Sequence, residues 1–125
     1  MISIFIVDDD QSLQGLYRLI LSEAGFDVLD TAINGKDAIE KYINFDTKPD
    51  LILMDHRMPI MNGLDAMIEI LEINNHEKII FASADTTIKK EAISQGACAF
   101  LDKPFKMQEL IRVVNHIAKE LLIKH

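Results

Sequence analysis

Five short apolar runs recur along the chain, and the stretches between them carry apolar residues at helical spacing. This alternation restricts the fold more than any other feature. The runs cover residues 2–7, 27–31, 51–54, 79–82 and 98–101, which are strand lengths. The first intervening stretch places Leu13, Leu16, Tyr17, Ile20, Leu21 and Ala24 on one face and stops at Gly25, a residue suited to a left-handed cap. The second, entered through Asn34 and Gly35, uses Ala38, Ile39, Tyr42 and Ile43, and the third uses Leu64, Met67, Ile68 and Leu71. A fourth helix over 86–95 has a weaker pattern and ends at Gly96; the last uses Met107, Leu110, Ile111, Val114, Ile117, Ala118, Leu121 and Leu122.

Strict β-α alternation with short links predicts a parallel sheet covered by helices on both faces. Continuous apolar runs such as Leu51 to Met54 fit strands buried on both sides. Five such units in 125 residues suit a flavodoxin-like α/β sheet and one domain over 1–125, with strand order left open by alternation alone.

A net charge of −7 and the lack of a Lys/Arg-rich patch argue against direct nucleic-acid binding. No apolar run is long enough for membrane insertion, and the first residues lack the features of a signal peptide; a cytoplasmic location is expected by default. Cys98 is the only cysteine, which excludes an internal disulfide, and its place between Ala97 and Ala99 predicts a small core residue.

In open α/β sheets ligands bind beyond the carboxyl ends of the strands. The first run ends in Asp8, Asp9 and Asp10, the third in Asp55, the fourth in Ser83, and the fifth leads into Asp102, Lys103 and Pro104. Carboxylates gathered on one edge repel one another unless a cation joins them. With oxygen donors only, that cation is hard, and Mg²⁺ (or Mn²⁺) suits a few carboxylates, waters and a phosphate oxygen. A carboxylate can be the nucleophile that forms an aspartyl-phosphate, with a lysine and a hydroxyl neutralising the phosphoryl oxygens. Asp10 either adds a ligand or caps the first helix, and its position favours the cap.

The segments Ile4 to Asp10, Pro49 to Gly63, Ala82 to Ala84 and Asp102 to Phe105 together resemble, in order and spacing, the four signatures of response-regulator receiver domains. The resemblance covers essentially the whole chain. It implies a doubly wound five-stranded sheet of order 2-1-3-4-5. It implies Asp8 and Asp9 as the metal-holding pair, Asp55 as phosphoacceptor and further ligand, and Arg57 as a ligand through its backbone carbonyl. Ser83 and Lys103 would meet the phosphoryl group, the Lys103–Pro104 bond would be cis, and Phe100 would be the switching aromatic. Arg57 and Asp85, each two residues beyond a site residue, would flank the phosphoryl group; paired across the pocket, they would slow its hydrolysis.

Such a domain is not an enzyme beyond its own phosphorylation and dephosphorylation. Its partners would be a histidine kinase or phosphotransfer protein and a downstream protein target, reached through the face of helix four, strand five and helix five. A monomer, or a weak dimer on phosphorylation, is expected. Three rivals stand beside this reading. Asp8 and Asp10 form the Asp-x-Asp of haloacid-dehalogenase-type hydrolases, but without the Gly-Thr that follows it there and without room for a cap. A pseudo-receiver would lack pocket residues that are present here, and a flavin module would need a phosphate-cradling loop after the first strand. His56, beside Asp55, is expected to point away from it, and His76, His116 and His125 to be solvated. The six methionines are expected at core positions.

Overall fold

A computed structural model describes residues 1–123; His125 lies outside the described residues. The strands are β1 (Ser3–Val7), β2 (Asp27–Ala32), β3 (Leu51–Asp55), β4 (Lys78–Ser83) and β5 (Ala99–Asp102). They alternate with α1 (Gln11–Glu23), α2 (Gly35–Asn44), α3 (Gly63–Ile73), α4 (Lys89–Ser94) and α5 (Met107–Ile123). All strand pairs are parallel, in the order β2-β1-β3-β4-β5. The fold is therefore the flavodoxin-like one, and its chain order reverses beside β1, where β1 and β3 are neighbours.

The alternating sides of each strand feed two cores. Ile4, Ile6, Leu53, Ile80 and Leu101 face α1 and α5 through Tyr17, Leu21, Leu110, Val114 and Ile117. Phe5, Val7, Ile52, Met54 and Phe81 face α2, α3 and α4 through Tyr42, Met67, Ile70 and Ala92. Burial on both sides explains why these strands read as unbroken apolar runs.

Local signals set the helix ends. Asp10 caps α1, its carboxylate accepting the Ser12 and Leu13 amides at 3.0 and 3.2 Å; Asn34 and Asn62 cap α2 and α3 in the same manner. Gly25, at φ 95°, follows the end of α1, and Gly96, at φ 123°, precedes β5.

Several expectations are corrected. The fourth helix splits into a 3₁₀ turn (Thr86–Ile88), capped by Asp85, and the short α4. The buried face of α3 comprises Ala66, Met67 and Ile70, opposite the exposed stripe of Asp65, Glu69 and Glu72, while Leu64 and Leu71 lie on the other flank of Met67 and pack only in part. Leu16, Ile43, Leu122 and Met1 are exposed, lying at the margins of their apolar stripes or at the chain start. Cys98 is exposed, since it precedes β5 instead of lying within it. That exposure belongs to the residue as a whole: the thiol itself is turned in against the sheet, where it donates to the Ile79 carbonyl at 3.3 Å and this local burial pushes it up to about 11.

Away from the strands' carboxyl ends lies a polar cluster that periodicity gives no hint of. The hydroxyl of buried Tyr42 donates to the buried Glu77 carboxylate at 2.8 Å, and Asn74 donates to the same hydroxyl at 3.1 Å. The Lys78 amide donates to the other Glu77 oxygen at 3.1 Å. Burial pushes Glu77 up to about 7, against the lowering effect of these hydrogen bonds. No helix among the described residues is long and apolar enough to cross a membrane.

Candidate functional site

β1 and β3 end side by side, with Val7 paired to Met54, so the residues just past their ends are neighbours. Asp8, Asp9 and Asp55 each bring one carboxylate oxygen within 4.8 Å of the others. Asp8 and Asp55 are buried and Asp9 is exposed, which gives the cluster an inner wall and an open side. Asp10 is spent on its helix cap, so Asp8 and Asp10 do not form the facing pair that the hydrolase reading requires.

β5 delivers Lys103 to the same place. Its ammonium lies 3.0 Å from Asp8 and 3.1 Å from Asp55. The Lys103 amide donates to the Ser83 carbonyl at 2.9 Å, and the Lys103–Pro104 bond is cis as expected. Burial raises Asp55 to about 6; the Lys103 charge works against this, while the Asp8 and Asp9 charges add to it. Burial pulls Lys103 down, but its hydrogen bond to Asp8 and the charges of Asp55 and Asp8 outweigh that and raise it. This is the electrostatic signature of a site with too few positive charges. Its donors are all oxygen, which fits a hard divalent cation such as Mg²⁺.

The close approach of the chain beneath Asp55 depends on Gly63. A Cβ at that position would lie 2.0 Å from the Asp55 carbonyl oxygen, and the Gly63 amide donates to the His56 carbonyl at 2.9 Å. Between them the link turns sharply, with Ile60 at φ 71° and the Met61 amide donating to the Pro59 carbonyl at 2.7 Å.

The remaining expected residues fall around this centre. Ser83 is buried, and its hydroxyl accepts the Asp85 amide at 3.0 Å. Arg57 and Asp85 pair at 3.6 Å with the Arg57 side chain largely exposed. The side-chain hydrogen bond from Thr87, and next the Thr87 amide, hold Asp85 below the usual carboxylate range, with Arg57 contributing less. Phe100 is half-buried, 5.9 Å from the Phe81 ring and nearly parallel to it, with the Lys89 ammonium 5.9 Å from its own ring. His56 turns to Phe81 (5.6 Å), its Nδ1 buried without a partner, and burial lowers its pKa.

One contributor was missed. Gln14 is buried in α1, and its amide donates to the carbonyls of Asp8 at 2.6 Å and Ala32 at 2.9 Å, fixing the acidic turn. A polar residue between Leu13 and Tyr17, on the inward side of an amphipathic helix, was the available signal.

Fold and site together define a flavodoxin-like α/β module with an acidic pocket and a lysine at the topological switch point. Residues 4–115 match the model of the response regulator receiver domain, and the chain belongs to that family. It is 39% identical over 118 residues to the chemotaxis protein CheY of Thermotoga maritima, covering 93% of this chain and 97% of that one. Among solved structures it resembles CheY in the CheX–CheY–BeF₃–Mg²⁺ complex from Borrelia burgdorferi. There the TM-score is 0.88 at 28% identity, covering 93% of this chain and 88% of that one. It also resembles the response regulator TrrA of Thermotoga maritima in complex with Mg²⁺-BeF. That match has a TM-score of 0.84 at 31% identity and covers 94% of this chain and 99% of that one. Chemistry in this family is limited to the domain's own phosphorylation and dephosphorylation.

Proposed function

We propose that residues 1–125 act as one receiver unit, in which Asp55 accepts a phosphoryl group from a histidine kinase, a phosphotransfer protein or a small phosphodonor. The observation that carries this reading is the convergence of Asp8, Asp9, Asp55 and Lys103 on one strand edge. Asp8, Asp9, Asp55 and the Arg57 backbone carbonyl hold Mg²⁺ or Mn²⁺. When bound, the ion neutralises charge on the carboxylates and the phosphoryl oxygens. Asp55 supplies the attacking oxygen, Lys103 pairs with a phosphoryl oxygen, and the Ser83 hydroxyl exchanges its present bond to the Asp85 amide for one to the phosphoryl group. That exchange frees the loop after β4, and Phe100 repacks beneath it. The face of α4, β5 and α5 then favours a downstream protein target, by stabilising a conformation already present at low population. Arg57 and Asp85 modulate the lifetime of the phosphoryl group. A cytoplasmic location, a monomer or weak phosphorylation-dependent dimer, and no direct contact with nucleic acid go with this reading.

The test is intact mass after incubation with acetyl phosphate, with and without Mg²⁺, for wild type and Asp55→Asn. One added phosphoryl group requiring both Mg²⁺ and Asp55 is expected. Equal labelling of Asp55→Asn would place the acceptor elsewhere and overturn the assignment.

A further inference from the structure

The Nδ1 of His56 is the single buried side-chain nitrogen or oxygen among the described residues that has no hydrogen-bond partner. Buried polar atoms are nearly always paired, and one left bare destabilises the state that holds it. Its surroundings show where a partner can come from. Asp55 pairs with Ala82 across β3 and β4, so the next step of the register sets His56 beside Ser83. Alternation puts both side chains on the face that carries Phe81 and Phe100, and the His56 ring lies 5.6 Å from that of Phe81. Asp85 is near on the loop after β4: burial acts most on the imidazole, and among the charges Asp85 comes first, ahead of Arg57 and Asp65. The Asp85 amide donates to the Ser83 hydroxyl at 3.0 Å, its one acceptor among the described residues. Ser83 is thus the neighbour of a buried acceptor without a donor and of an amide with no second acceptor.

From this juxtaposition we infer that His56 is a positioning residue of the switch: when the Ser83 hydroxyl turns to the phosphoryl group on Asp55, the Asp85 amide passes to His56 Nδ1. The inference rests on the proposed role of Asp55 and deepens it by naming what holds the displaced loop. In the resting fold the amide is paired and Nδ1 is not. After the exchange the hydroxyl, the amide and Nδ1 are all paired. The gain is made only in the switched state, as a contact must be if it is to shift a two-state equilibrium. The phosphoryl group acts on Ser83 alone. The bond to Nδ1 carries the displacement two residues further, to the start of the 3₁₀ turn that Asp85 caps. A phenylalanine at position 56 fills the same space against Phe81 and gives the loop nothing to hold.

The experiment uses ¹⁵N-labelled wild type and His56→Phe with Mg²⁺ and beryllofluoride, a mimic of the phosphoryl group, at pH 8, where the imidazole is neutral. Two signals are followed: the ¹⁵N shift of His56 Nδ1 and hydrogen exchange at the Asp85 amide. In wild type, the ligand is expected to move Nδ1 to the shift of a hydrogen-bonded acceptor and to leave the Asp85 amide protected. His56→Phe is expected to lose protection at that amide only when the ligand is present. It is also expected to bind beryllofluoride roughly tenfold more weakly, the equivalent of one hydrogen bond made in the switched state. A wild-type Nδ1 resonance that the ligand does not move, or an Asp85 amide equally protected in His56→Phe, overturns the inference and leaves Asp55 as acceptor. If beryllofluoride and Mg²⁺ change no resonance of the wild type, the phosphoacceptor reading and this one fall together.

Discussion

A Tyr42→Phe variant removes one oxygen from the polar cluster and keeps the ring that fills the core. Glu77 then loses the hydroxyl that donates to it at 2.8 Å and retains only the Lys78 amide at 3.1 Å. A hydrogen bond to a charged group is worth about 1.5–3 kcal/mol, and one between neutral groups about 0.5–1.5 kcal/mol. Which figure applies depends on the Glu77 proton. Glu77 is raised from 4.5 to about 7, so its contribution to stability is fully present below about pH 4.5 and is lost as pH rises through about 7. The wild-type loss is roughly 3 kcal/mol. At pH 5 Glu77 is protonated in the fold, and the variant gives up a neutral bond, about 1 kcal/mol. At pH 8 the same substitution strands a buried carboxylate and costs about 2–3 kcal/mol. Asn74, which donates to the same hydroxyl and is only partly buried, turns to water and adds little at either pH. Urea unfolding of both proteins at pH 5 and pH 8 measures the two differences, and contributions from Asp55 cancel between wild type and variant. Equal losses at the two pH values, or a larger loss at pH 5, would refute the argument that the hydroxyl serves a buried carboxylate.

Gly63→Ala drives a methyl group against the Asp55 backbone, where neither side can yield. A loss of about 3 kcal/mol is expected, seen as a fall in melting temperature of roughly 10 °C. Ile60→Asn replaces a β-branched residue at φ 71° by one that tolerates that conformation. Because Ile60 is 78% exposed and little burial is lost, a gain of about 1 kcal/mol in urea unfolding is expected. Opening the Arg57–Asp85 pair with Arg57→Ala, Asp85→Ala should quicken loss of phosphate in Mg²⁺ by a few-fold, and equal decay would discard the pair as a barrier to water.

What the sequence made legible follows physical lines. Strand positions were readable within a residue or two because burial on both faces leaves no polar interruption, as in Leu51 to Asp55. The strand-edge carboxylates were readable because topology places every strand end in one row. Strand order came from the resemblance, since alternation does not fix it. The facing side of α3 was misplaced by part of a turn: the large Leu64 and Leu71 outweigh the small Ala66 as apolar signals, although the exposed Asp65, Glu69 and Glu72 mark the side opposite the buried Ala66, Met67 and Ile70. The pairing of Glu77 with Tyr42 joins residues 35 apart in the chain. A lone glutamate before a strand looks like a solvated charge until the fold buries it. Gln14 escaped for a related reason: an amide acts through what it bridges, and both of its carbonyls belong to other elements.

That bridge also governs how the protein opens. β2 is an edge strand, hydrogen-bonded to β1 alone, and an edge strand is where a sheet frays first. The Ala32 carbonyl at its end receives both the Asp8 amide and the Gln14 side chain, which in turn holds the Asp8 carbonyl. Fraying at the outer strand therefore cannot stay local. It releases the first acidic residue in the same event, so the rigidity of the pocket floor is set by the protection of the sheet's outermost strand.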